Sequence, residues 1–473
     1  MNPAISQPPA LALISATSMW ERFGFYMMRS ILVLYMAKVL LFSTQDTYGI
    51  FATFSALLYM TPQIGGHLAD RFFGRKYIIS LGGLLLSAGY FLLALPGLTY
   101  FYFGLSTIIV GSGFFVPNIS GILGELYLDN DARREGGFSI LYSAINLGAF
   151  IPPLISAGLI AKFGWHIAFA AAGFGVLLGV IIFNIGLIRI SQLKKIKNPI
   201  LAKPHFLLIP VILVEIFLFS SLIKHAHIAN IFLFTCSSCL IIYIIKESFN
   251  FPSHVRNRLI VSFILTTFSI FFWALYAQGA MSLTLFAEYN VQRQTNWGMI
   301  PTMMFLALSP LYIILLGPVF AKIWLWLENK NLNPSIPIKF SLGTIFMGAG
   351  FAILPLAIWM QSTTEQIHLE WIVLSYFLQS VGELLISPVG LSMMTTLAPK
   401  QMVGQMVGAW YFAMAVANAL GGLISAATVA PSNMSLSSYM QPFEILGGGA
   451  IFAGMVILLC SRHLSNMISV KMT

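Results

Sequence analysis

Charged side chains are scarce in this sequence: Asp, Glu, Lys and Arg together make up 8% of its 473 residues. A soluble globular protein carries about 25% charged residues, so this chain cannot cover its whole surface with polar groups. Hydrophobic residues account for 58% of the sequence, and the mean hydropathy is +0.86. The composition therefore excludes an ordinary soluble domain.

Cysteine is also rare, with Cys236, Cys239 and Cys460 as its three occurrences. The first two have the spacing of a redox motif, but they lie in an apolar segment without a βαβ context. We interpret them as packing or lipid-facing residues. No nucleophile–base set, metal-ligand cluster or phosphate loop stands out either. We therefore expect no enzymatic activity, no cofactor and no metal site.

Long apolar runs recur from one end of the chain to the other. Each holds roughly 20 residues, which is enough to cross a bilayer as a helix. We count about fourteen, near 12–37, 47–69, 77–95, 99–124, 138–161, 165–189, 206–223, 229–245, 259–287, 297–327, 340–361, 370–397, 402–428 and 441–461. The first run is too long for a signal peptide and lacks a basic start, so we expect no cleavable leader. These runs predict an all-α membrane protein with about 14 transmembrane helices.

The net charge of +10 is a signal of topology. If the chain starts in the cytoplasm, most Lys and Arg fall in cytoplasmic loops and helix ends. Only Lys38, Lys162, Lys224 and Arg293 would then face outward. This asymmetry follows the positive-inside rule and predicts that both termini are cytoplasmic. It gives no indication of a nucleic-acid site.

The runs divide into two halves with an insert between them. Six precede residue 190 and six follow residue 258. Between them lie a basic linker at 191–204 and two further apolar runs. Six plus six with a central linker is typical of the major facilitator architecture. We predict an N-terminal six-helix bundle at 1–190, a linker with two inserted helices at 191–258, and a C-terminal six-helix bundle at 259–473.

The first apolar run contains two adjacent ionisable residues, Glu21 and Arg22. Each costs about 2.5–3.5 kcal/mol at the centre of a membrane helix, so a structural or functional role must offset the cost of the pair. Arg29 follows two helical turns later and nearly on the same face, with Ser18 and Tyr26 close to it. This polar stripe predicts a substrate cavity or an ion relay. A structural ion pair that holds the first helix in register is the alternative.

The loop after the second run holds a second polar motif, within 65–76. Its glycines, Gly74 among them, permit a tight turn, while Asp70, Arg71 and Arg75 can pair across neighbouring helix ends. The spacing resembles the cytoplasmic signature of the major facilitator superfamily. We expect these four residues to form a conformational latch. An ordinary basic loop would explain the positive charges but not the spacing.

Four segments in succession resemble the proton-dependent oligopeptide transporter (POT, or PTR) family of the major facilitator superfamily. They are Glu21-Arg22-Phe23-Gly24-Phe25-Tyr26, the loop at 65–75, Phe138 through Gly148, and Gly382 through Gly390. Further matches are Phe272-Trp273-Ala274 and Gly408-Ala409-Trp410 followed by Asn418. The resemblance covers almost the whole chain in the right order, and the two-helix insert resembles prokaryotic members.

The sequence departs from the family pattern at five positions. Ser18 stands where the family's first helix carries its first glutamate, and Phe25 replaces a tyrosine. Val116 stands at a lysine position and Ala277 at a glutamate position. Ser309 replaces an asparagine.

Two of these replacements, Ser18 and Val116, are explained together by the cost of an unpaired buried charge. In the family, the first helix-1 glutamate and the helix-4 lysine are thought to interact. Removing one partner of a buried pair costs about 3–5 kcal/mol, and removing both, as Ser18 and Val116 do, avoids that cost. Ala277 has no such compensation, because Arg29, the expected partner of the lost glutamate, is retained. Arg29 must find another acceptor, water or an anionic substrate.

The resemblance implies a polar cavity. We expect it to bind substrate through Arg22, Tyr26, Arg29, Tyr59, Asn146, Trp273, Glu383, Ser387 and Trp410. A zwitterion suits these residues, since the arginines can hold a carboxylate and Glu383 an amine. Glu21 and Glu383 remain as candidates for proton coupling. Packing is the open alternative for Trp273 and Trp410, and helix–helix hydrogen bonding for Asn146.

These observations predict a secondary active transporter in a bacterial inner membrane. It would import di- or tripeptides or peptide-like zwitterions by alternating access, with altered or weakened proton coupling. A second hypothesis keeps the fold but gives it an anionic or amino-acid-like solute. A third, from another class, is a non-transporting membrane receptor or scaffold. Counterflow separates the third from the others, and a thermal-shift screen with peptides separates the first two.

Overall fold

The computed structural model describes residues 7–127, 131, 133–194, 201, 203–296, 298–361, 366–399, 401–428 and 435–469. These residues form seventeen α-helices and four strands of two residues each. The predicted all-α class is confirmed. The predicted linker at 191–204 lies partly outside the described residues, because 195–200 and 202 are not among them.

The helices have the following bounds in chain order. They are α1 Pro9–Lys38, α2 Thr44–Met60, α3 Pro62–Leu68, α4 Arg75–Leu93, α5 Leu98–Glu125, α6 Arg133–Phe163, α7 Trp165–Arg189, α8 Ser191–Lys194, α9 Leu208–Lys224, α10 Ala226–Ser248, α11 Ser253–Ala277, α12 Ser282–Asn290, α13 Leu308–Asn329, α14 Ile336–Met360, α15 Leu369–Leu397, α16 Val403–Thr428 and α17 Met440–Ser469. A π-helical turn at Ala69–Phe73 joins α3 to α4.

The strands make two small ladders. Strand β1 (Val291–Gln292) pairs in parallel with β4 (Ile367–His368), and β2 (Gln294–Thr295) pairs antiparallel with β3 (Gly298–Met299). In the first ladder Val291 lies opposite Ile367. These ladders satisfy backbone groups in the loops that follow α12 and α14.

Twelve helical segments in the described part of the chain are long and apolar enough to cross a membrane. They coincide with twelve of the predicted runs. The remaining two runs fall on α1, which carries Glu21, Arg22 and Arg29, and on α2 with α3. Each of the fourteen predicted runs therefore overlaps a helix.

The chain forms two compact units that interleave along the sequence. Unit 1 comprises Met1–Tyr35 and Leu57–Ala226, and unit 2 comprises Met36–Ala56 and His227–Thr473. Helix α9 thus belongs to unit 1 and packs on α5, whereas α10 belongs to unit 2. The domain boundaries near residues 190 and 258 stay predictions.

Unit 1 is held together by close approach of glycine-rich helices. Helix α4 packs along α5 and also contacts α7. A Cβ added at Gly104 would lie 2.9 Å from the carbonyl oxygen of Gly89, so the two backbones nearly touch. Helices that share a membrane depend on such small residues for van der Waals contact, since lipid tails are as apolar as leucine.

Unit 2 is built in the same way around α14. This helix packs on α17 and α15, and a Cβ at Gly343 would lie 2.9 Å from the carbonyl oxygen of Gly382 on α15. Fully buried aromatic side chains, including Phe340, Phe351 and Phe443, fill the space between these helices. The result is a rigid apolar frame for the polar residues of α15.

Candidate functional site

Glu21 and Arg22 form an ion pair on α1. Arg22 donates from Nε to Glu21 Oε2 over 2.6 Å and from Nη2 to Oε1 over 3.0 Å. This fork-to-fork geometry is the strong form of an arginine–carboxylate interaction. The Glu21 side chain is 4% exposed, whereas that of Arg22 is 21% exposed. Arg22 is therefore the partner that an incoming anion can reach.

Phe25 lies between the two arginines of α1. The Arg22 guanidinium is 5.2 Å from the centre of the Phe25 ring, and that of Arg29 is 6.0 Å from it. Both distances are within the range of a cation–π interaction. Sequence analysis treated Phe25 only as a lost tyrosine. Its spacing of three residues from Arg22 and four from Arg29 could have shown that the three side chains meet.

Three tyrosines surround this cluster. Arg29 lies 5.9 Å from the centre of the Tyr26 ring, and Tyr26 and Tyr59 are both close enough to Arg22 to interact electrostatically. Sequence analysis missed Tyr90 on α4, which interacts electrostatically with Glu21 and Arg22. The Tyr90 hydroxyl is buried without a hydrogen-bond partner among the described residues.

Helix α6 approaches α1 beside this cluster. A Cβ at Gly148 would lie 2.3 Å from the carbonyl oxygen of Met19 and 3.1 Å from Cβ of Arg22. Only glycine leaves room for this contact. Nearby on α6, Asn146 donates from Nδ2 to the carbonyl oxygen of Tyr142 over 2.9 Å. One of the two N–H donors of this amide is therefore used within its own helix.

Besides Phe25, two departures from the family pattern fall in unit 1, Ser18 and Val116. Ser18 is 3% exposed, and its hydroxyl has no hydrogen-bond partner in the described part of the chain. Val116 is half-buried on α5, next to Pro117. Asn118 donates to the carbonyl oxygens of Phe114 and Gly65 and so fastens α5 to α3. Both positions are therefore neutral and enclosed.

The predicted latch residues meet at the turn between α3 and α4. Arg75 donates from Nε to Asp70 Oδ1 over 2.7 Å and from Nη1 to Glu125 Oε1 over 2.5 Å. Gly74 has φ of 84°, a conformation that favours glycine. Arg71 lies outside this ion pair, with its guanidinium 5.7 Å from the centre of the Phe72 ring. These ion pairs connect the π-helical turn and the start of α4 to the end of α5.

Residues of the linker lie against this turn. The backbone N–H of Leu201 donates to the carbonyl oxygen of Arg71 over 2.7 Å, and that of Lys203 donates to Phe72 over 3.0 Å. His205 stacks on Tyr77 with ring centroids 3.8 Å apart. Backbone bonds of this kind carry no sequence signature, which is why sequence analysis missed them.

Glu383 is buried in α15, with 8% of its surface exposed. The Ser309 hydroxyl on α13 donates to Glu383 Oε2 over 3.5 Å and lies 3.0 Å from the hydroxyl of Ser380. Ser380 in turn donates to the carbonyl oxygen of Tyr376 over 2.7 Å. Ser309 stands at the position where the family carries an asparagine, and a hydroxyl here replaces an amide beside the acid.

The remaining predicted residues of unit 2 lie on three helices. Trp410 on α16 is 3% exposed and packs against Gly390, where an added Cβ would lie 2.1 Å from the indole ring. Trp273 on α11 is 6% exposed, and its Nε1 has no hydrogen-bond partner within the described ranges. Ser387 is half-buried on α15, one residue before Pro388. Close packing thus dominates at Trp410, while Trp273 retains an unused donor.

Helix α11 ends at Ala277, the position of the family's missing glutamate. A 3₁₀ turn at Gln278–Ala280 follows, and α12 then begins. Buried Gln278 donates to the carbonyl oxygens of Ala274 and Gly421 and accepts from Ser282 and Ser425. Irregular backbone at membrane depth persists where protein satisfies its polar groups. The sequence analysis did not predict this break.

Each unit thus assembles part of the predicted site. In unit 1 the structure groups Glu21, Arg22, Tyr26, Arg29 and Tyr59. In unit 2 it places Glu383 beside Ser309. Across the described residues, no group of three or more His, Cys, Asp or Glu side chains could hold a metal ion.

Comparisons with known proteins agree on one family. A model of the POT family matches residues 76–441. Dipeptide and tripeptide permease A of Citrobacter koseri is 34% identical over 476 residues, covering 98% of this chain and 94% of that protein. The permease of the same name from Escherichia coli strain K12 is 33% identical over 473 residues, with the same coverage.

Solved structures show the same likeness. A crystal structure of a peptide transporter POT in complex with sulfate has a TM-score of 0.85 and 31% identity, covering 98% of this chain and 97% of that one. A POT family transporter in complex with 5-aminolevulinic acid has a TM-score of 0.87 and 28% identity, covering 98% of both chains. These relatives are transporters, not enzymes.

Proposed function

This chain belongs to the POT family and is a multipass membrane protein of the major facilitator fold, and we propose that it imports di- or tripeptides or peptide-like zwitterions by alternating access. Relatives that match nearly its whole length are named dipeptide and tripeptide permeases. We place it in a bacterial inner membrane with both termini in the cytoplasm, from the distribution of Lys and Arg.

The observation that carries this proposal is the pair of opposite charges that the two units hold. Unit 1 presents two guanidiniums around Phe25. Unit 2 presents the buried carboxylate of Glu383 with a hydroxyl beside it. A peptide carries a carboxylate at one end and an ammonium group at the other. The guanidiniums of unit 1 suit such a carboxylate, and the carboxylate of Glu383 in unit 2 suits such an amine.

The Glu21–Arg22 pair offers a route to proton coupling. Protonation of Glu21 would neutralise its carboxylate and so weaken both hydrogen bonds that it accepts from Arg22. Arg22 would then be available to a substrate carboxylate. Since Ser18, Val116 and Ala277 replace the family's ionisable residues, Glu21 and Glu383 are the groups left to carry protons. We therefore propose altered or weakened coupling.

Dipeptide counterflow in proteoliposomes tests the role of Glu383. The variant Glu383→Gln keeps the size of the side chain but removes its charge. A hydrogen bond to a charged group contributes about 1.5–3 kcal/mol, so the apparent KM should rise about 10- to 100-fold. Glu370→Gln is the matched control, because Glu370 is exposed in the first turn of the same helix. Unchanged counterflow by Glu383→Gln would refute the assignment.

One observation favours a second candidate, an anionic or amino-acid-like solute. Arg29 is retained although Ala277 stands at the family's glutamate position, as in a chain that binds an anion, and a solved relative is in complex with 5-aminolevulinic acid. Thermal-shift measurements separate the two candidates, since a ligand stabilises the protein it binds. Stabilisation by dipeptides supports the first. Stabilisation by amino acids alone supports the second, and binding without counterflow favours a receptor.

A further inference from the structure

Helix α10, the second inserted helix, packs loosely on its unit. Only 22% of its candidate membrane span is buried, against 56% for the span that contains α11 and 50% for α16. A hydrogen bond of 3.1 Å from Gln405 to the Tyr243 hydroxyl is one of its polar links to the rest of unit 2. The helix therefore lies at the periphery of unit 2.

A cavity of about 50 Å³ lies between α10 and its neighbours. Its walls come from α10, α11 and α16, all within unit 2. Its lining residues include Ile241, Phe263, Ile270, Phe412 and Ala413. Apart from Ser237, Thr266 and Thr267, the lining side chains are apolar, so the cavity offers its occupant dispersion contacts.

The three hydroxyls in the wall are already used. Ser237 donates to Leu233, Thr266 to Ser262 and Thr267 to Phe263, each to a carbonyl oxygen of its own helix over 2.7–3.0 Å. A buried water needs two to four polar partners, which this cavity does not supply. Its occupant must be a group that needs no hydrogen bonds.

The surroundings identify that group as hydrocarbon. All three helices cross the membrane, and the outward side chains of α10 are apolar, with Ile242 65% exposed. Cations lie at the end of α10 that leads into α11. Lys246 is exposed there, and the Arg256 guanidinium lies 5.5 Å from the centre of the Phe249 ring. A lipid phosphate has the complementary charge.

The depth of the cavity fits the same ligand. Phe263, the first lining residue of α11, lies seven residues beyond Arg256, or about 10 Å along the helix axis. A phospholipid with its phosphate near Arg256 would place its acyl chain at the level of the cavity. We propose that this cavity binds a segment of one acyl chain of a membrane phospholipid, which lies between α10 and the helices that carry Trp273 and Trp410.

Native mass spectrometry of the purified full-length protein tests the proposal. Ala413 is a buried lining residue, so Ala413→Phe places a ring inside the cavity. We expect the wild type to retain phospholipid through detergent washing and the variant to retain about tenfold less. Ala427→Phe is the matched control, because Ala427 is exposed on the same helix and should retain lipid like the wild type. No retained lipid in the wild type, or equal retention by Ala413→Phe, overturns the proposal.

A second measurement needs no variant and so does not depend on folding of Ala413→Phe. The wild type is reconstituted in nanodiscs with a phospholipid that carries a diazirine in its acyl chain. Crosslinks to lining residues such as Phe263, Ile270 and Phe412 support the proposal. Crosslinks confined to outward residues such as Ile242 contradict it.

Discussion

At the scale of the single residue, Phe25 links the two arginines of α1. Its ring lies within 5.2 Å of Arg22 and 6.0 Å of Arg29. Charge repulsion would separate two guanidiniums, and a ring between them offers each an attractive face. The replacement of a family tyrosine by Phe25 therefore keeps the aromatic contact and removes only a hydroxyl.

We predict that Phe25→Leu weakens substrate binding while Phe25→Tyr does not. Leucine preserves the apolar volume but removes both cation–π interactions. At about 0.5–1 kcal/mol each, the loss of both should raise the apparent KM for a dipeptide about 5- to 30-fold in proteoliposome counterflow. Phe163→Leu is the control, since Phe163 is 63% exposed at the end of α6. Equal effects at Phe25 and Phe163 would show that the ring between the arginines does not matter.

At the scale of helices, the contact of α6 with α1 positions the charged cluster. Gly148 allows the backbone of α6 to approach Met19 and Arg22. Any larger residue must push α1 away or distort it, since the atom in its path is a backbone oxygen. The placement of Arg22 thus depends on a residue that carries no charge.

We predict that Gly148→Ala lowers both stability and transport. Overpacking of this kind costs about 1–3 kcal/mol, so thermal unfolding in detergent should occur at a lower temperature. Gly158→Ala on the same helix is the matched control, because an added Cβ there has no neighbour within 4 Å. Its higher helix propensity should leave stability unchanged or raise it by up to about 1 kcal/mol. A similar loss of stability in both variants would rule out the proposed contact.

The sequence predicts helices more fully than it predicts their interruptions. Hydropathy identifies each apolar run because hydrocarbon excludes unsatisfied backbone groups, and a helix satisfies its own. The break after Ala277 has no such signal. It depends on tertiary bonds from Gln278 to α16, including 2.9 Å to the carbonyl oxygen of Gly421. Local patterns do not contain that partner.

The residues of the candidate site likewise divide into those that the sequence predicts and those that it does not. Glu21, Arg22, Arg29 and Glu383 were recognisable because charge is expensive inside a membrane. Tyr90 was not, since a tyrosine in an apolar run looks like core until its neighbours are known. Ser309 was identified only as a lost asparagine, and its hydrogen bond to Glu383 required the packing of α13 on α15.

At the scale of the whole molecule, the weakened proton coupling proposed above would set this chain apart from the family pattern. Ser18 and Val116 are enclosed and neutral where the family carries a glutamate and a lysine. A charge restored at only one of these positions would be buried without a partner, at a cost of about 3–5 kcal/mol. Restoring both charges should offset part of that loss of stability.

We predict that Ser18→Glu and Val116→Lys each destabilise the protein alone and less than additively together. The double variant should also accumulate dipeptide more strongly under an imposed pH gradient than the wild type does. Unfolding temperatures of the four proteins give the coupling energy, and proteoliposome uptake at two gradients gives the proton dependence. Additive losses would mean that the two positions do not interact. Strong proton-driven accumulation by the wild type that survives Glu21→Gln and Glu383→Gln would refute both weakened coupling and the assignment of these two acids as the proton carriers.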